Sequence, residues 1–204
     1  MVQYFIDGGG FMWPILISLI FGLGFAFERA YSLIMSSIDS DKFFTDVSEA
    51  LGGSNLDGAL EICNETKGPV AEIFHAGLSK SHRGLEEVEK SIQNAASLEM
   101  AFLEKNMIWL NTVITVAPMI GFTGTVVGMI AAFDAIKAAN DISPAVVAGG
   151  ISQALLTTAF GLITAMIIQF FQNFFVSRID KLILDMEENS MKLIDQLYDS
   201  KVVK

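Results

Sequence analysis

The chain has 204 residues, of which 52% are hydrophobic, and a formal net charge of −10. That is more apolar residue than one soluble core of this length needs, so the excess points to membrane spans. The acidic balance argues against nucleic acid and against docking on an anionic lipid surface.

The first ten residues, MVQYFIDGGG, read as a short interfacial segment on the outer side. Tyr4 and Phe5 suit a headgroup layer, and the glycines give a flexible entry to the first span. That span covers residues 11–38, uncharged from Phe11 to Phe27 and interrupted only at Glu28-Arg29. It lacks a basic lead and a small-residue cleavage site, so it reads as a retained span rather than a signal peptide. Glu28 and Arg29 read as charges snorkelling at the inner interface.

Residues 39–105 read as a cytoplasmic segment made of helices. Ser54 or Asn55 is a candidate cap for a helix that stops at Gly68-Pro69, and VAEIFHAGLSK reads as a second short helix. A third starts near Gly84, with Glu86 and Glu87 in the first turn, where the helix dipole favours acids. Its apolar residues Leu85, Val88, Ile92, Ala96 and Leu103 keep helical spacing, and the pattern predicts a helix running unbroken into the next span. Cys63 stands alone and reads as packing; His75 and His82 are isolated and read as ordinary helix residues.

A second span covers 106–133 and a third 146–177, with an outward connection at 134–145. No charged residue lies between Asn106 and Phe133, or between Ile142 and Ser177. At 1.5 Å per residue these runs are roughly 40 and 50 Å long, against a hydrocarbon core of about 30 Å. Both helices are therefore expected to extend beyond the bilayer. Residues 178–204 form an amphipathic tail, with Ile179, Leu182, Met186, Leu193 and Leu197 in one stripe. Arg29, Lys105, Arg178 and Lys181 flank one side of the spans and only Lys137 the other, which places the N-terminus outside and the C-terminus in the cytoplasm.

Gly121, Thr125, Gly128 and Ala132 share a face of span two, and Ile151, Ala154, Thr158, Gly161 and Ala165 a face of span three. Gly124 adds a GxxxG with Gly128. Small residues at such spacing let helices approach closely in lipid. Thr125 and Thr158 sit mid-span on those faces. A membrane threonine often bonds only to its own helix, yet polar groups at this depth are functional candidates. Gln153 lies about 140° round from Thr158 and so off that face. No nucleophile–base pair, P-loop or metal motif is visible, and no internal repeat of the kind a carrier shows.

Three stretches carry a resemblance. GGGFMWPILISLIFGLGFAFERA resembles the first span of the ExbB/TolQ/MotA family. APMIGFTGTVVGMIAAF is similar to its second-span signature, and GGISQALLTTAFGL to its third. Three spans and a cytoplasmic segment of this size resemble the ExbB/TolQ branch. The resemblance implies an all-α membrane protein of the bacterial inner membrane. It implies a homopentamer around two copies of an ExbD/TolR-like single-span partner with a membrane aspartate, and no cofactor or metal. Proton flow past that aspartate would drive motion passed on to a TonB/TolA-like envelope protein. The family's pore threonines fall on Thr125 and Thr158. Gln153 stands where many family members have glutamate, and glutamine cannot relay a proton by ionising. A non-conducting scaffold for a single-span partner is the alternative, and Tol-Pal rather than TonB linkage is equally open.

Overall fold

The computed structural model describes residues 2–53, 55–139 and 144–199. The described chain is helical: α1 (Val2–Asp7), α2 (Met12–Ser36), α3 (Ser40–Gly52), α4 (Leu56–Glu65), α5 (Pro69–Leu78), α6 (Leu85–Leu103), α7 (Met107–Ala139) and α8 (Pro144–Asp199), with a 3-10 turn at Ser81–Arg83. Three stretches are long and apolar enough to cross a membrane: Met12–Gly52, Leu85–Lys137 and Val147–Tyr198. Residues 140–143, which hold Asp141 of the expected outward connection, lie outside the described residues.

The chain forms two compact units, Met1–Arg29 with Asn106–Phe174, and Ala30–Lys105 with Phe175–Lys204. In the first, α7 and α8 meet along a seam of small residues. Leu110, Val113, Ala117, Gly121, Gly124, Gly128 and Ala132 follow one another at three or four residues on α7, and all are buried. The α8 side of the seam is Ala154, Thr157, Gly161, Thr164 and Ile168, also all buried. A Cβ on Gly121 would lie 2.7 Å from the Thr157 carbonyl oxygen, and one on Gly161 would lie 2.6 Å from that of Ala117. Backbone therefore touches backbone at this crossing. The α2 helix closes against both through Gly22, whose Cβ would meet Ile168 at 2.8 Å and Val113 at 3.2 Å. Trp109 stacks on Phe25 and meets Phe21 edge-on, at 6.0 and 5.9 Å between centroids.

The second unit is an ordinary water-type core. Asn55 caps α4 by accepting from the Gly58 N–H at 2.9 Å, and Asp39 caps α3 by accepting from Lys42 at 3.2 Å. Pro69 opens α5 at a position where its missing N–H costs nothing. Phe43, Val47, Leu51, Ala59, Cys63, Ile73, Phe74, Leu78, Val88 and Ile92 bury their side chains together with the tail stripe Ile179, Met186, Leu193 and Leu197. Each large aliphatic or aromatic side chain among them contributes about 1.5–3 kcal/mol on burial. Ser48 and Gln196 exchange two hydrogen bonds, at 2.7 and 3.3 Å, which fix α3 against the end of α8. Asn189 also lies in the tail stripe, 3% exposed, its amide nitrogen donating to the Asp185 carbonyl at 2.7 Å.

Two expectations are corrected. The helix before span two does not run on unbroken. It ends at Leu103, and Asn106 takes a left-handed conformation (φ 66°) before α7 starts at Met107. Asparagine tolerates that region better than most residues, because its short amide bonds locally. Here it donates to Glu28 Oε2 at 3.3 Å. Ile151, expected on the packing face of span three, is instead 37% exposed.

The glycine crossing can be tested by adding a methyl group. In a helix, Gly→Ala ordinarily stabilises by about 1 kcal/mol. At Gly161 the new methyl would press on a backbone carbonyl that cannot swing aside, so Gly161→Ala destabilises the detergent-solubilised protein by about 1–3 kcal/mol. Gly24→Ala, where a Cβ meets nothing within 4 Å, does not destabilise; thermal melts of the two variants check the contrast. In the second unit, burial, and secondarily the charge of Glu72, push the Cys63 thiol up to about 12 from 9.0. The folded state then binds the proton more tightly than the unfolded one. Its stabilising effect is whole below pH 9 and is lost as pH rises from 9 towards about 12. The stability advantage of wild type over Cys63→Ala therefore narrows across that window, as melts on either side of the lower value would read.

Candidate functional site: a threonine pair between two membrane helices

The candidate site grows out of the glycine crossing. Because Gly121 and Gly161 bring α7 and α8 into backbone contact, short side chains beside them reach across. Thr112, Thr115 and Thr123 illustrate the ordinary behaviour of a threonine in an apolar helix. Each donates to the carbonyl four residues earlier, at 2.8 Å. Thr125 does more. Its hydroxyl lies 3.3 Å from the Gly121 carbonyl of its own helix, 3.2 Å from the Ala154 carbonyl of α8, and hydrogen-bonds the Thr158 hydroxyl directly. Thr158 in turn reaches the Gly121 carbonyl at 3.2 Å.

A hydroxyl has one proton and two lone pairs. One member of the pair must donate to the other, and the second proton goes to the Gly121 or Ala154 carbonyl. Lone pairs remain on the pair for a further donor. Both residues are only half-buried. The pair thus sits at the edge of the seam, where a group approaching α7 and α8 from outside this chain can reach it. It can accept and pass on a hydrogen bond by reorienting, but it cannot hold a charge.

Thr157 is the buried hydroxyl that the sequence expectations missed. It is 1% exposed and donates to the Ala154 carbonyl at 2.7 Å, with the Gly121 carbonyl 3.2 Å away. The signal lies in the spacing Ala154, Thr157, Gly161, Thr164, Ile168, which runs three, four, three, four. Assigning Thr158 to the packing face shifts that stripe by one residue. A Cβ on Gly124 would lie 2.6 Å from the Thr157 hydroxyl. Gly128 faces Ala154, while Ala132 lies against Gly150, where a Cβ would come within 2.5 Å of the Ala132 Cβ. Ala165 is buried too, at 8% exposure.

The remaining candidates lie elsewhere. Gln153 is exposed along α8, and its amide rests against Gly9 of the N-terminal turn. Arg29 is not the solvated head that snorkelling supposes, for it is 1% exposed. Its Nε and Nη2 donate to the two Glu28 carboxylate oxygens at 2.8 and 2.7 Å, and Glu28 in turn accepts from Asn106. Burial of an ion is tolerable only with such pairing. The described residues contain no group of three or more His, Cys, Asp or Glu able to hold a metal ion.

Comparison with known proteins places the chain in a family. Residues 65–188 match the MotA/TolQ/ExbB proton channel family. The chain is 30% identical over 181 residues to a putative biopolymer transport protein ExbB homolog of Methanothermobacter thermautotrophicus, covering 88% of this chain and 64% of that protein. It is 31% identical over 169 residues to the putative biopolymer transport protein ExbB-like 1 of Synechocystis, covering 81% and 66%. It is 30% identical over 169 residues to the Tol-Pal system protein TolQ of Pseudomonas aeruginosa, covering 78% and 66%. The chain thus spans about two thirds of the length of these relatives. A family match over more than half of its residues, reinforced by relatives that bear both ExbB and TolQ names, gives the assignment: this chain is a membrane protein of the MotA/TolQ/ExbB proton channel family.

Proposed function

We propose that the chain is a subunit of an ion-driven motor of the bacterial inner membrane, of the ExbB/TolQ kind. In this reading five copies surround two single-span partners of the ExbD/TolR type. Proton motive force drives relative motion, and the motion is transmitted to an envelope protein of the TonB/TolA type. The N-terminus lies outside and the tail in the cytoplasm. The observation that carries the reading is the Thr125–Thr158 hydroxyl pair, held at the edge of the α7–α8 seam with lone pairs to spare.

The chemistry divides between the two proteins. The stretches 106–133 and 142–177 contain no ionisable carboxylate, so these two spans do not carry protons by titration. A carboxyl on the partner span would do so. Removed from water, its charged form is disfavoured, and its pKa rises towards the working pH. The threonine pair accepts from a carboxylic acid through its free lone pairs, and donates to a carboxylate when the proton held by the Gly121 or Ala154 carbonyl turns away from it.

The scaffold reading keeps one observation in its favour: Gln153 is neutral where an acid would be needed for conduction along this chain alone. The role of the hydroxyl is tested at Thr158. In the intact complex, Thr158→Ser keeps the hydroxyl and holds ion-driven activity within about twofold of wild type. Thr158→Val keeps the shape and removes the hydroxyl, and costs at least about tenfold, equivalent to ~1.4 kcal/mol. Measuring energised transport or envelope maintenance in cells carrying each variant at equal membrane abundance decides it. Full activity in the Val variant would remove the role assigned to the Thr158 hydroxyl.

A further inference from the structure

The N-terminal turn is anchored, and its anchor is Gln153. Gly9 adopts a left-handed backbone (φ +71°), a conformation that most side chains avoid. A Cβ there would collide with Gln153 Nε2, and would lie 3.1 Å from its Cδ and 3.7 Å from its Cγ. The glutamine side chain is therefore laid lengthwise against the glycine. The turn itself is closed on both sides. Gly8 and Gly9 donate to the Tyr4 and Ile6 carbonyls at 3.0 and 3.1 Å, and Met12 donates to the Gly9 carbonyl at 3.2 Å. Phe5 of α1 meets Trp13 of α2 edge-on at 5.4 Å, so α1 folds back onto the start of α2.

We infer that Gln153 is a positioning residue that seats the Gly8–Gly9–Gly10 turn on α8, off the path used by the threonine pair. Five residues separate it from Thr158, about 7.5 Å along the axis and some 140° around it. Its amide points to the first-span side of α8, whereas the threonine pair lies at the α7 side. A neutral amide suits this duty. It packs against backbone without the cost of stripping water from a charge. The glutamine is then no defective proton site, since it works as the peg on which the N-terminal segment rests.

The test uses the full complex in its membranes, in a Cys63→Ser background, with Gly9→Cys and Gln153→Cys combined. Disulfides need Cβ atoms about 3.5–4.5 Å apart; a Cβ at Gly9 would lie 3.7 Å from the Gln153 Cγ, whereas one at Gly10 meets nothing within 4 Å, so position 9 is the nearer to residue 153. Copper-phenanthroline oxidation should cross-link 9 with 153 and leave the Gly10→Cys/Gln153→Cys control open. Absence of the 9–153 bridge overturns the seating, and this arm needs no ion flux, so it stands or falls apart from the motor reading. The activity arm rests on that reading. The reduced double variant, which has lost its peg, should work several-fold below wild type, and oxidation should restore it to within about twofold. Equal activity in both states, or activity only when reduced, overturns the positioning role. Should the double variant fail to assemble, Gln153→Ala decides: activity several-fold below wild type with an unchanged pH profile supports the peg, and wild-type activity overturns it.

Discussion

Everything at the candidate site depends on two glycines, Gly121 and Gly161, whose missing methyl groups leave room for the Thr157 and Ala117 carbonyl oxygens of the facing helix. In lipid, apolar surface gains nothing from leaving its surroundings, so helices associate through close packing and interhelical polar contacts. The α7–α8 crossing uses both. Gly121 and Gly161 let the backbones touch. That contact brings the Gly121 and Ala154 carbonyls within reach of three threonine hydroxyls. Move the helices apart by the width of a methyl group, and Thr125 would fall back to its own helix, as Thr112, Thr115 and Thr123 already do.

The second unit works by different physics. Its helices are short, capped by Asp39 and Asn55, and held by a buried set in which Phe43 meets Phe74 edge-on at 5.2 Å. Here water supplies the drive, and each large side chain counts. The same helix, α8, serves both regimes: it carries the Ala154–Ile168 seam in one unit and the Ile179–Leu197 stripe in the other. The buried positions keep helical spacing in each, while the residues filling them change from mainly Ala, Gly and Thr to mainly Ile, Met and Leu.

Much of this was legible in the sequence because its signals were local. Uncharged runs marked the long apolar helices, Asn55 and Gly84 marked helix starts, and the tail stripe came from spacing alone. The features that escaped depended on a partner distant in the chain. Asn106 turns the chain between α6 and α7, and its side chain reaches Glu28, seventy-eight residues away, a contact that no local spacing announces. Arg29 looked like a boundary charge, and burial is a property of its neighbours rather than of the residue. Thr157 and Thr158 differ only in which side of a helix they take, and one residue of phase separates a buried strut from a reachable hydroxyl. Asn189, polar within an apolar stripe, has no sequence feature that separates it from a solvated asparagine.

In the proposed division of labour, this chain supplies hydroxyls and a partner span supplies the group that ionises. Proton uptake by sealed vesicles under an imposed membrane potential tests it most directly, comparing the chain alone with the chain co-purified with its single-span partner. The chain alone should show no uptake above empty vesicles, with clear uptake once the partner is present. Uptake by the chain alone, equal to that of the complex, would contradict it.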